Sequence, residues 1–441
     1  MKIMLNRDEA DPGSGVTPYD RLAFAAEAVS RWLARGERAT ELRLLFGDAA
    51  HAELSALAVA AAAARRVRSA PAVWIVPGIM GSQLSVRRGH GLPPDVLWLD
   101  ALDIIVGRMV RLRVGAEPRL RASGVLLPSY LPLGLRLRAA GFAPRFFAYD
   151  WRLDVARNGK RLAAALRRAG QTCGIVAHSL GGLVVRAALT AARLPPIERV
   201  VLLGVPHHGS YAAVQALRGS YTVVRKLAML DAHHDAPTLS RRVFTSFASL
   251  HELLPSGPLA SDCDFFDGRQ WPDEGPRPEL ALLTRARGLE HRLAPLDARC
   301  VGIAGIGRPT IRAAALSADR REFRYSADNM GDGTVPLESA RGATADGYLT
   351  TVAHSDMARD ASVAEAVVDL LREGRTQRLA PWRGADAIAG RGRPMNEVTD
   401  TALLRDAQRK VDWHAMNADQ RRSFLERLND ISDLGTATDV P

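Results

Sequence analysis

The chain has 441 residues, of which 47% are hydrophobic and 24% charged, with a formal net charge of +11. That balance excludes a disordered polyelectrolyte and a multispanning membrane protein, and the length admits a full catalytic domain carrying a large insertion.

Residues 1–70 read as a helical N-terminal extension. Leu22, Ala25, Val29, Trp32 and Leu33 recur at helical spacing, and a second helical run follows over Leu42–Arg66. From Pro71 the texture changes. Short apolar strands are predicted over 72–76, 143–149, 173–177, 200–204 and 300–304, with helices over 159–168 and 180–192 between them. That rhythm is an α/β fold, a mostly parallel sheet with helices on both faces, occupying 71–374. The segment 211–299 interrupts it and is too long for an ordinary connection, so it reads as an inserted helical cap. Residues 375–441 form a polar tail with two short helices, over 402–413 and 418–428, the second opened by a capping box of Asn417 and Gln420.

The cationic excess does not define a nucleic-acid surface. Only four of the 59 basic residues are lysine (Lys2, Lys160, Lys226 and Lys410), and the 55 arginines are scattered through an alanine-rich chain, as codon bias would leave them. No zinc-finger spacing or aromatic-interleaved basic motif accompanies them. The run Gly107–Arg113 is the segment suited to peripheral contact with an anionic membrane. Cys173, Cys263 and Cys300 are too widely spaced for a metal site or a disulfide framework, which favours a reducing, cytoplasmic setting. Met1–Gly15 lacks the apolar core of a signal peptide, and the apolar stretch Leu54–Ala64 falls short of the roughly 20 residues of a membrane span.

The chemistry concentrates in a few turns. Ile175–Val176–Ala177–His178–Ser179–Leu180–Gly181–Gly182 is a strand running through a small-x-Ser-x-Gly turn into a helix, which lifts a serine hydroxyl above a sheet. A serine nucleophile needs a base and a carboxylate to orient that base. Asp332, in Gly331–Asp332–Gly333–Thr334, lies 153 residues on, and His354 a further 22, in the order serine, acid, histidine. The other histidines fit less well: His178 adjoins the nucleophile, and His207 and His208 precede every suitable acid. A metal site from His207, His208, His233 and His234 lacks a carboxylate at zincin spacing, so no metal or cofactor is expected. The glycine-rich turn Pro77–Gly78–Ile79 after the first strand offers the N–H of Ile79 as one oxyanion donor, with the N–H of Leu180 as the other.

Together these segments resemble the lecithin:cholesterol acyltransferase family, which includes lysosomal phospholipase A and phospholipid:diacylglycerol acyltransferase. The resemblance runs from about Pro71 to Gly374. It adds Gly81–Ser82–Gln83–Leu84, Trp98–Leu99–Asp100, Tyr149–Asp150–Trp151–Arg152, Gly204–Val205–Pro206–His207–His208–Gly209–Ser210 and Gly305–Ile306–Gly307–Arg308–Pro309–Thr310 to the motifs above. It implies an α/β-hydrolase fold and transfer of an acyl group from a lipid to Ser179 and on to water or an alcohol. The chain departs from extracellular members in having no cysteine pair between Leu84 and Asp100, and the loop over Leu84–Trp98 is expected to form the membrane-facing lip. A carboxylesterase or thioesterase on non-lipid esters and a catalytically inactive binding protein of the same fold are the alternatives. A phospholipase serving as a toxin or defence effector carries the same residues.

Overall fold

The computed structural model describes residue 20 and residues 24–64, 70–89, 91–260, 263–342, 346–382, 397–406 and 409–429. Met1–Gly15, Leu22 and the Arg66 end of the second expected helix lie outside the described residues.

The central sheet runs, edge to edge, β5 (Ala143–Phe146), β1 (Ala72–Val76), β6 (Cys173–His178), β7 (Ile197–Leu203), β8 (Cys300–Gly305), β11 (Gly347–Thr350) and β12 (Ala380–Pro381). The first six are parallel and β12 pairs antiparallel to β11. Alternate residues serve opposite faces. Val73, Ile75, Val176 and Val201 pack against α5 (Leu127–Ala139) and α14 (Ala361–Glu373). Ala72, Trp74, Ile175 and Val200 pack against α6 (Val155–Ala169) and α7 (Leu180–Leu189). Burial on both faces is why these strands read as continuous apolar runs.

The N-terminal helices are α1 (Ala26–Arg35), α2 (Ala39–Phe46) and α3 (Asp48–Ala63). The single helix expected from Leu42 is broken at Gly47, whose φ of 79° and ψ of 162° turn α2 and α3 through 117°. Val29, Leu33, Phe46, Leu54 and Ala58 bury against Leu127, Leu131 and Leu135 of α5. Among the described residues no single helix is long and apolar enough to cross a membrane, though the bent pair α2 and α3 together meet that length and composition.

Two antiparallel sheets flank the main one. The first, β3 (Asp95–Trp98), β2 (Ser82–Val86) and β4 (Arg121–Val125), replaces the lip loop expected over Leu84–Trp98; Leu84, Val96, Leu97 and Trp98 are buried. After β3, α4 (Ala101–Ile105) is capped by Asp100, whose carboxylate accepts the N–H of Leu102 at 2.8 Å. The second sheet, β13 (Val398–Thr399), β10 (Phe323–Asp328) and β9 (Thr310–Leu316), binds the C-terminal segment to the body. The 211–299 segment carries α8 (Tyr211–Arg218), α9 (Thr222–Leu230), α10 (Ala236–Arg242), α11 (Ala248–Glu252) and α12 (Leu280–Ala286), and α13 (Leu337–Arg341) follows the Asp332 turn. The capping box of Asn417 and Gln420 opens the helix Ala418–Glu426 as expected.

Asp400 is buried at the junction of tail, cap and second sheet. Its carboxylate accepts from Arg218 Nε (2.9 Å), Ser220 Oγ (2.7 Å), Tyr325 Oη (2.8 Å) and the Phe323 N–H (3.2 Å). Breaking one side of a buried ion pair strands the other charge, at about 3–5 kcal/mol. Asp400→Ala is expected to destabilise the protein by about that amount in urea denaturation; an unchanged midpoint would show that the tail does not hold the cap.

Candidate active site

Four of the expected site segments meet at the carboxyl ends of the parallel strands. Strand β6 ends at His178, and Ser179 takes φ 54° and ψ −129° before α7 begins at Leu180. A non-glycine residue there stores about 1–3 kcal/mol of strain and persists only where its surroundings impose it. The Ser179 N–H donates to the Leu203 carbonyl at 2.9 Å, and the Ser179 carbonyl accepts from Gly182 N–H at 2.9 Å. Close approach forbids a side chain at Gly181, where a Cβ would lie 2.5 Å from the Pro77 carbonyl oxygen and 2.6 Å from that of Val76.

Ser179 Oγ lies 2.9 Å from His354 Nε2, and His354 Nδ1 lies 2.8 Å from Asp332 Oδ2. Asp332 is 1% exposed. Its other oxygen accepts from the N–H groups of Thr334 (2.9 Å) and Val335 (2.7 Å), and its carbonyl accepts the His354 N–H at 3.0 Å. The carboxylate therefore keeps a proton on Nδ1 and leaves Nε2 bare toward the serine. A hydroxyl so placed can pass its proton to the imidazole as it attacks.

Strand register sets the turn after β1 beside the elbow, because Val76 pairs with Ala177. At Gly78 a Cβ would fall 2.9 Å from Ser179 Cβ. Side chains clamp the turn at four points. Tyr149 Oη donates to the Pro77 carbonyl (2.8 Å), Trp98 Nε1 to that of Met80 (2.8 Å) and Trp151 Nε1 to that of Ser82 (3.0 Å), while Tyr130 Oη accepts the Gly78 N–H (2.9 Å). Arg152 forks onto Asp150 at 2.9 and 2.7 Å and reaches the Leu112 carbonyl at 2.8 Å. Two of the segments that carry the family resemblance, Trp98–Asp100 and Tyr149–Arg152, thus hold this turn. The N–H groups of Ile79 and Leu180 have no hydrogen-bond partner among the described residues.

The space above Ser179 amounts to about 870 Å³, part of it open to solvent, and is walled mainly by apolar groups. Met80 and Leu126 form one side; Ala213, Ala216, Leu250 and Leu253 of the 211–299 segment form the other. Tyr221 and Thr334 supply polar groups at its edge.

The remaining histidines fall in separate places. Burial, reinforced by the neighbouring Arg186, lowers His207 to about 3, and its Nδ1 sits 3.3 Å from that guanidinium. His208 faces Glu290 at 3.5 Å. His233 packs against Gly107, and His234 is 2.9 Å from Asp231. Among the described residues no three His, Cys, Asp or Glu gather as a metal site. Within the basic run Arg108 pairs with Asp103 (2.6 Å) and Arg111 with Asp95 (2.9 Å) and Glu117 (2.7 Å), while Arg113 is exposed.

A serine at a positive-φ turn between a central parallel strand and a helix, with acid and histidine on later strand ends, defines the α/β-hydrolase class. Within it, residues 138–273 match the model of the lecithin:cholesterol acyltransferase family, a stretch containing Ser179 and Tyr149–Arg152 but neither Asp332 nor His354. Among solved structures the chain is similar to the lipase BlEst2 of Bacillus licheniformis. In its propeptide form the identity is 15%, covering 72% of this chain and 52% of that one, with a TM-score of 0.36. In the mature form it is 16%, covering 71% and 95%, with a TM-score of 0.35. The chain thus spans about half the length of the propeptide form. It is also similar to a chain of the Tle4–Tli4 complex, at 13% identity over 68% of this chain and 97% of that one, with a TM-score of 0.47. No curated protein matches it.

Helix α11, which gives Leu250 to the pocket, also carries a buried titratable group. Glu252, on α11 between Leu250 and Leu253, accepts the Val155 N–H at 2.7 Å, and burial pushes its carboxyl up to about 7. A carboxyl raised on folding binds its proton more tightly in the folded state, so its contribution to stability is present below about pH 4.5 and is lost as pH rises through about 7. Glu252→Gln is expected to raise the melting temperature at pH 8 and leave it nearly unchanged at pH 5. Equal shifts at both would exclude the ionisation.

Proposed function

We propose that the protein cleaves or transfers acyl groups of lipid esters through an acyl-enzyme on Ser179, with His354 as base and Asp332 as its orienting acid. The observation that carries this reading is the chain Ser179 Oγ, His354 Nε2, Asp332 Oδ2, at 2.9 and 2.8 Å, opening into an apolar pocket. His354 takes the hydroxyl proton as Oγ adds to the ester carbonyl. The oxyanion that forms is met by the N–H groups of Ile79 and Leu180. Collapse breaks the bond to the alcohol, which leaves with the proton from His354. Water or a second alcohol then gives its proton to His354 and attacks the acyl-enzyme, releasing acid or a new ester and restoring Ser179.

The apolar walls favour a lipid over small polar esters, since apolar lining supplies acyl-chain affinity. No cofactor enters these steps. Cys173, Cys263 and Cys300 are buried and form no disulfide, which suits a cytoplasmic enzyme meeting its substrate at a membrane surface.

Wild type and Ser179→Ala are to be incubated with phospholipid vesicles containing a long-chain alcohol, and the products analysed by mass spectrometry. Fatty acid or alcohol ester is expected from wild type, falling about 10³-fold or more in the variant. Equal product from both would reject Ser179. Turnover of a short soluble ester alone would transfer the assignment to a carboxylesterase or thioesterase.

A further inference from the structure

Beneath Ser179 lies a chain of hydrogen bonds that the acyl-transfer steps do not use. The Gly78 N–H meets Tyr130 Oη, Tyr130 Oη meets His178 Nδ1, and His178 Nε2 meets the His354 carbonyl oxygen, each at 2.9 Å. The two ends are main-chain groups, and they determine every proton between them. A peptide N–H only donates, so Tyr130 oxygen accepts from Gly78. A carbonyl only accepts, so His178 Nε2 carries hydrogen. The neutral imidazole then has a bare Nδ1, which accepts a hydrogen bond from the Tyr130 hydroxyl.

We propose that Tyr130 and His178 are positioning residues: their relay ties the oxyanion turn to the loop bearing His354, setting donor and base on either side of Ser179 together. This rests on the reading of Ser179 and His354 given above. Both side chains are buried, Tyr130 at 3% and His178 at 8% exposure. Their rings pack in sequence, Tyr130 on His178 at 6.0 Å between centroids and His178 on His354 at 4.9 Å. Protonated His178 would aim Nδ1–H at an oxygen already receiving the Gly78 N–H. Burial first, then the charge of His354, lowers His178 to about 3, so the relay keeps one arrangement across the working range. His178 is thereby excluded as a rival base although it adjoins the nucleophile.

Tyr130 also connects a distant layer. Its helix, α5, turns Tyr130, Leu133 and Leu137 toward the sheet and Leu127, Leu131 and Leu135 toward the N-terminal helices. Packing of those helices therefore fixes the helix from which the relay starts.

Tyr130→Phe, His178→Gln, His178→Ala and the Tyr130→Phe/His178→Ala double variant are to be assayed for kcat and KM on a short-chain nitrophenyl ester. The rate of Ser179 labelling by a fluorophosphonate and the melting temperature are measured on the same samples. Tyr130→Phe is expected to lower kcat and the labelling rate about 10- to 100-fold with KM within about two-fold, because misplaced donors act on the transition state. His178→Gln, whose amide N–H still reaches the His354 carbonyl, should fall between wild type and His178→Ala. The double variant should match His178→Ala, since one relay is broken only once. Multiplicative losses, an unchanged kcat in Tyr130→Phe, or His178→Gln no better than His178→Ala would overturn the relay. If Tyr130→Phe melts before assay, the His178 pair decides. Failure of the Ser179 reading looks different: wild type would then escape labelling and Ser179→Ala would retain activity.

Discussion

The molecule is organised around one unfavourable backbone conformation. Ser179 occupies a region that suits glycine, and it is kept there by a fully buried strand behind it, a helix start ahead of it and the carbonyl of Leu203 beside it. The strain raises the hydroxyl clear of the sheet, where only groups from neighbouring strand ends can reach it. Parallel pairing brings all those ends to one edge. The donor turn follows β1, the elbow follows β6, Asp332 lies over the end of β8 and His354 follows β11, so four separate stretches of chain are placed by one sheet.

The remaining polar contacts remove freedom from those stretches. Three aromatic side chains hold carbonyls of the 77–82 segment, and Tyr130 holds one of its N–H groups. This accounts for residues whose chemistry looks surplus to catalysis. Tyr149 and Trp151 touch neither proton nor ester in the proposed steps, yet they consume main-chain acceptors of the turn and leave the Ile79 N–H unengaged. A donor fixed before substrate arrives needs no rearrangement as charge develops on the carbonyl oxygen.

Five of the seven strands of the central sheet, all but β11 and β12, and the grouping of Ser179, Asp332 and His354 were legible in sequence for a common reason. Buried parallel strands are short apolar runs, and a serine between small residues at a strand-to-helix turn is seldom anything but a nucleophile. What escaped was non-local or chemically muted. Helix α5 carries Pro132 and Gly134, which argue against a helix, so Tyr130 had no element to sit on. Strand β9 is alanine-rich, and β3 is buried along its length, so neither alternates in the way a flanking strand is recognised. The pairing of Arg108 with Asp103 and of Arg111 with Asp95 and Glu117 draws on carboxylates outside the run Gly107–Arg113, which a charge count over that run does not register.

The carboxylate at Asp400 gives the molecule a timetable. Arg218 leaves the ribosome 182 residues ahead of it, a delay of about 10 to 40 s at ordinary rates of synthesis. Through that interval the guanidinium at the end of α8 lacks its buried counter-charge. The elbow, the acid and the base are all made before Asp400. A nascent chain thus holds every described residue that lines the pocket before it holds the carboxylate that fixes the end of α8.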